Sequence, residues 1–208
     1  MRGWSGTLVI GLVLAAGEAR GQSGIAPADI FPAGFGTLNQ DQLSVRFIAG
    51  DVEVRVLPLE ERMLRLVARD GYESLHRLVQ SRQAQIDSAA AAAGLGNPGL
   101  ALVSFFGLRD DARFDPENVS LFYHNQFYRP VAIIPITATF TARQLPVRRQ
   151  ASAIYLFEVP VPVFEQFDIA YGAIQSNAWN DILPRVERER GRVLARAQAV
   201  RDTASSRP

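Results

Sequence analysis

Within residues 117–172 a β-type pattern of apolar and aromatic residues recurs four times, and this commits the middle of the chain to strands. The four runs are 119–123, 131–140, 152–159 and 166–171, and most of the large aromatics lie in or beside them. Pro130 and Pro135 cannot donate to a ladder, so the segment 127–140 that holds them runs along a sheet edge or is broken by a bulge. Around Ala153–Val159 the two faces are both apolar: Ile154 and Leu156 point one way, Tyr155 and Phe157 the other. That run reads as a central strand covered on both sides. His124-Asn125-Gln126 reads as a hairpin turn.

The remaining runs complete this sheet system. Residues 43–48 and 52–57 alternate around Ala49-Gly50-Asp51, the form of a short hairpin. Residues 100–108 are continuously apolar and read as a buried central strand. Residues 59–93 carry a helical period instead. Asp70 and Glu73 are spaced as a capping box that restarts a longer helix, Tyr72, Leu75, Val79, Ile86 and Ala90 form one face, and Gly94 is the C-cap. After Gly172 the period becomes helical again, with Trp179, Leu183, Val186, Val193, Ala197 and Val200 on one stripe. Pro184 implies a kink or a fresh start.

The fold class that follows is mainly β or α+β. The preferred form is an antiparallel β-sandwich of immunoglobulin-like type with about seven strands, a helical insertion at 59–93 and a C-terminal helix at 176–202. A single sheet with helices packed on one face is the alternative. Residues 42–202 form one β-rich domain, preceded by a Gly- and Pro-rich lead-in at 22–41 and followed by a loose tail at 203–208.

Residues 1–21 have the layout of a secretory signal peptide. Arg2 is followed by the ten-residue apolar run 7–16, then by small residues that place the cut between Ala19 and Gly21. The apolar run is half the length that a bilayer span requires, ~20 residues. The chain has no cysteine, so its stability comes from burial and not from disulfides. These features point to an exported protein, periplasmic or secreted, of a bacterial envelope or the extracellular space. Removing residues 1–21 takes Arg2, Arg20 and Glu18 from 22 basic and 21 acidic residues, leaving 20 of each. Such a balance supplies no global field for nucleic acid. All the basic residues are arginine.

Groups suited to catalysis are few. Cys and Lys are absent, and only His76 and His124 could act as a base. His76 reads as a helix-surface residue and His124 as a turn residue, neither at metal-ligand spacing. The loop 109–117 gathers Asp110, Asp111, Asp115 and Glu117, an oxygen set that calcium favours. Arg109 and Arg113 are interleaved with them, and the loop reads as self-paired. Glu158 reads as a strand-end residue, with Arg129 or Arg143 the partner if it were buried. Asn118-Val119-Ser120 matches a glycosylation sequon at the level of chance.

The C-terminal helix sets Arg185, Arg188, Arg190, Arg192, Arg196 and Arg201 against Glu187, Glu189 and Asp202. That face suits solvent with internal pairs better than an anionic membrane. The sequence therefore predicts no catalytic, cofactor-binding or metal-binding residues. It predicts a non-enzymatic binding or structural module that meets a protein or envelope component through loops or sheet edges. The alternative is a small-molecule or carbohydrate binder that stacks its ligand on Phe127, Tyr128 and Phe164 near Arg129. A carboxylate-dependent hydrolase ranks third.

Overall fold

The computed structural model describes residues 32–205. The signal-peptide reading of residues 1–21, most of the lead-in and the last three residues lie outside the described part. Within it the chain is α+β, built from antiparallel sheets with a C-terminal helix.

The larger sheet has five strands in the order β1 (Val45–Ala49), β2 (Val52–Pro58), β3 (Gly99–Gly107), β9 (Gln150–Phe157) and β7 (Pro130–Pro135). Gly50 turns the β1–β2 hairpin at φ +61°, a conformation that favours glycine. β3 and β9 occupy the middle, as their apolar runs require, and Ala151–Phe157 are buried throughout. β7 sits at the edge, where its two prolines cost no ladder bond. Its register with β9 shifts between Pro130 and Ala132, leaving Val131 as an extra, exposed residue.

The smaller sheet has four strands, in the order β11 (Ile174–Ser176), β10 (Asp168–Tyr171), β5 (Val119–Tyr123) and β6 (Gln126–Tyr128). A two-stranded ladder joins β4 (Ala112–Arg113) to β8 (Gln144–Leu145). The two main sheets share one hydrophobic cluster. The Tyr171 ring of the small sheet lies 5.7 Å from Phe105 of the large one. At one corner β1 lies against β11; at the other the chain passes from β6 straight into β7.

Three details depart from the sequence reading. The run 131–140 is not one strand: β7 stops at Pro135 and a 3-10 turn, Ala138–Ala142, folds back. That turn buries Phe140 against Phe105 and Phe114, at ring distances of 6.2 and 5.6 Å. Gly172, left-handed at φ +58°, turns the chain into β11 before the last helix begins. Asp70 and Glu73 do not make a capping box. Helix α2 (Arg69–Ala92) starts two residues earlier than an Asp70 cap would place it, and Ala68 at its N-cap provides no side-chain bond.

Helix α1 (Glu61–Leu64) is capped by the Glu60 carboxylate, which accepts from the Met63 N–H at 3.0 Å. α2 buries Leu75, Ile86 and Ala90 and lies against the β7 edge. It closes as the sequence suggests. Gly94 sits at φ +69°, its N–H reaches Ala91 O at 3.1 Å and that of Leu95 reaches Ala90 O at 2.8 Å, a Schellman motif.

Helix α3 (Trp179–Ser205) runs unbroken through Pro184 and past Asp202. Its stripe holds Trp179, Ile182, Val186, Val193 and Ala197 in the core, while Val200 is exposed. The lead-in is tied down from Phe35 onward. Leu38 forms a parallel bridge with Val67, through Leu38 N–H to Leu66 O (3.1 Å) and Ala68 N–H to Leu38 O (2.8 Å). Among the described residues no helix is long and apolar enough to cross a membrane.

Candidate functional site

The β5–β6 hairpin is set by a two-residue turn in which His124 and Asn125 both have positive φ, 49° and 61°. That is the form of a type I′ turn, whose twist matches the flanking strands. Tyr123 then pairs with Gln126, Phe122 with Phe127 and Leu121 with Tyr128. In a two-residue hairpin the pair beside the turn exchanges backbone hydrogen bonds, and the next pair does not. The Phe127 N–H and C=O therefore point away from β5, toward the side of β6 that carries no further strand. Pro130, which has no N–H, ends this stretch and sends the chain into the other sheet.

The Phe127 side chain stands on the sheet face, 56% exposed, its ring 4.6 Å from its cross-strand partner Phe122. Arg129, two residues on, is exposed as well. Phe127 and Arg129 line one recess of about 290 Å³ together with Glu117, Asn118, Ser120 and Gly172. A neighbouring recess of about 270 Å³ shares Glu117 and adds Pro116, Ile133, Pro135, Phe140, Thr141 and Arg143.

The wall between the two recesses is a 3-10 turn, Pro116–Asn118, held from several sides. Asp115 caps it, accepting from the Glu117 N–H at 3.3 Å. The buried Tyr155 hydroxyl donates to Pro116 O at 3.0 Å, and the Asp115 N–H donates to the Tyr171 hydroxyl at 2.7 Å. Gly172 N–H reaches Asn118 O at 3.0 Å. Arg143, left-handed at φ +54°, brings Nη2 to 2.6 Å from Glu117 Oε1 and Nη1 to 3.8 Å from Asp115 Oδ1.

The two carboxyls divide their proton affinities. Their mutual hydrogen bond is the leading cause: it pushes Asp115 above the ordinary carboxylate value and Glu117 below it, with Arg143 also lowering Glu117. Glu117 is thus an anion already matched by a cation. Arg129 has no such partner among the described residues, and it is the unmatched charge of its recess.

The hairpin tip is pinned on its other flank. The Tyr123 hydroxyl donates to Glu165 Oε2 at 2.5 Å, and that bond pushes the phenol up to about 12. The His124 ring stacks on Tyr123 at 3.8 Å, with Nε2 3.9 Å from the same carboxylate oxygen. His76 lies elsewhere, on α2, stacked on Tyr72 at 5.4 Å and 2.8 Å from the Gln80 amide nitrogen.

Of the four residues singled out from the sequence, Phe127 and Arg129 come together and the other two do not join them. Tyr128 alternates to the core side of β6, where its ring is part-buried and its hydroxyl donates to Gln126 Oε1 at 3.2 Å. Phe164 is held between two guanidinium groups, with Arg62 5.0 Å and Arg190 5.3 Å from the ring centre. Glu158 is exposed just past the end of β9.

In the loop 109–117 Asp115 and Glu117 share Arg143, while Asp110 and Asp111 have partners of their own. Asp110 accepts from Val147 N–H at 3.3 Å and Asp111 from the Gln144 amide at 2.9 Å, while Arg109 pairs with Asp51. Among the described residues no three His, Cys, Asp or Glu side chains gather where they could hold a metal ion.

Sequence reasoning missed Glu117, Asn118, Ser120 and Gly172 as recess residues, because they meet only through the β5–β10 pairing. The available signal was Pro130: a proline directly after a two-strand hairpin marks where an edge must end. Compared with family models, curated proteins and solved structures, the chain matches none.

Proposed function

We propose that this chain is a non-enzymatic binding module, exported to a bacterial envelope or the extracellular space, that receives an extended segment of a protein partner along β6. The observation that carries the reading is the open side of β6. There the unpaired backbone groups of Phe127 point away from β5, and on the adjoining sheet face the exposed Phe127 and Arg129 line a recess of about 290 Å³. Strand addition at such an edge draws affinity from main-chain hydrogen bonds and selectivity from the side chains beside them.

The other sheet margins give this mode less room. β7 has α2 against it and a register shift, while β1 and β11 lie against each other. The recess is lined by neither histidine, which favours binding over acid–base chemistry. The ligand-stacking alternative draws on Phe127 alone of its aromatic candidates, because Tyr128 turns inward and Phe164 is taken up by Arg62 and Arg190. We also take the two main sheets as the layers of an antiparallel sandwich, supported by the Phe105–Tyr171 contact and the shared core. The immunoglobulin-like type, expected on a count of about seven strands, is not carried forward, because the two main sheets have five and four strands and a separate ladder adds two.

Photo-crosslinking tests the reading. A benzoylphenylalanine replaces Phe127 in one full-length chain and Ile48, exposed on β1, in another; both are irradiated in the envelope fraction of the source cells. The expected result is a discrete adduct from position 127 and none from position 48. Equal adducts, or an adduct from position 48 alone, would remove β6 as the binding edge.

A further inference from the structure

The geometry points to an acidic peptide as the occupant of this edge; the inference rests on the β6 reading above and names the chemistry it selects. Phe127 and Arg129 are two residues apart in extended chain and line the same recess, so they stand on one face. A strand added antiparallel to β6 places two of its residues, also two apart, opposite them. Cross-strand neighbours of this kind favour an apolar group against an aromatic ring and opposite charges against each other. Because the added strand runs the other way, its acidic residue comes first. The selected sequence is Asp or Glu, any residue, then a large apolar residue.

Charge supports a carboxylate over any neutral group. The recess holds one acidic side chain, Glu117, and Arg143 has already taken it at 2.6 Å. Arg129 is left with a guanidinium whose two parallel donors fit a carboxylate. Ser120 and Asn118, in the same recess, add polar side chains beside it. Pro130 limits the added strand to the few residues facing Gln126–Arg129, so the acidic residue lies near the end of the paired segment. Binding through so short a ladder is weak to moderate, and the ion pair sets its selectivity.

Titration of the full chain with labelled ten-residue peptides, acetylated and amidated so that no terminal charge contributes, tests this. One peptide carries Glu-Thr-Phe in a β-favouring host, a second carries Lys-Thr-Phe, and a third N-methylates the Phe of Glu-Thr-Phe, whose backbone N–H is the one that faces Phe127. The first is expected to bind at least tenfold more tightly than the second, with the preference falling as salt rises. Arg129→Glu is expected to reverse the preference and Arg129→Gln to erase it. Arg188→Glu, on an exposed part of α3, leaves the preference intact. Circular dichroism of each variant verifies that the fold persists.

Equal affinity for Glu and Lys peptides, with loss on N-methylation of the Phe, would overturn the carboxylate inference while leaving the β6 edge standing. Failure of every peptide to bind would overturn both. A wild-type dimer in sedimentation that Phe127→Pro dissolves would assign the edge to a second copy of the chain and overturn the peptide assignment.

Discussion

Glu189 stands in the seam of α3 where Trp179, Ile182, Val186, Val193 and Ala197 are otherwise apolar, and it is 1% exposed. Its Oε1 accepts from the Thr37 N–H (3.0 Å), the Thr37 hydroxyl (2.9 Å) and Arg196 Nη1 (2.8 Å). Arg196 also donates to Phe35 O, so one carboxylate and one guanidinium strap the lead-in to the last helix. Burial alone would raise the Glu189 pKa; the bonds from Arg196 and Thr37 outweigh it and hold the value below the ordinary 4.5. Below 4.5 the unfolded chain takes up this proton before the folded one. The stabilisation from Glu189 is therefore whole at neutral pH and is lost as the pH falls through its folded pKa. Glu189→Gln is expected to cost about 1.5 kcal/mol at pH 7, the scale of a charged hydrogen bond. Denaturant unfolding is predicted to show that the gap to wild type narrows at acid pH; a gap that widens would contradict this. Gly36 tests the same strap from its other side. A Cβ there would lie 2.2 Å from the Leu66 carbonyl, so Gly36→Ala is expected to cost about 1–3 kcal/mol in the same assay.

At the scale of the element, the β5–β6 hairpin depends on two left-handed residues, His124 and Asn125. Asn tolerates that conformation, glycine adopts it freely and a β-branched residue resists it. Asn125→Gly is expected to stabilise by a few tenths of a kcal/mol and Asn125→Val to destabilise by about 1–2 kcal/mol, measured as shifts in denaturant midpoint. These elements were readable in sequence to the extent that local chemistry decides them. The all-apolar run placed β9 in the centre, the prolines placed β7 at an edge, and Gly94 closed α2. Local chemistry could not show that Arg129-Pro130 is a change of sheet, because that depends on β7 finding β9 and β6 staying with β5. Nor could it separate Phe164 from Phe127. The arginines that occupy Phe164 come from α1 and α3, far away in the chain. The apolar stripe of α3 was visible, but Glu189 read as part of the solvated charged face; its burial depends on Thr37, which only the fold brings to it.

Among the described residues one hydrophobic cluster joins both main sheets, α1, α2 and α3. The account predicts a single cooperative unfolding transition. Trp179, fully buried against Phe167 at 4.7 Å, reports on it and is the sole tryptophan once residues 1–21 are removed. Its fluorescence and the far-ultraviolet dichroism are expected to change together; separated midpoints would show α3 leaving independently. Among the described residues, β6 is the margin that presents unpaired backbone beside an exposed aromatic ring and an arginine with no ion-pair partner. Residue-resolved amide exchange of Gln126, Phe127 and Tyr128, with and without the Glu-Thr-Phe peptide, tests that claim most directly. The account predicts slow exchange at Gln126 and Tyr128, fast exchange at Phe127, and protection of Phe127 on saturation with peptide. A Phe127 amide already as slow as its neighbours in the free protein, or unchanged by the peptide, would contradict it.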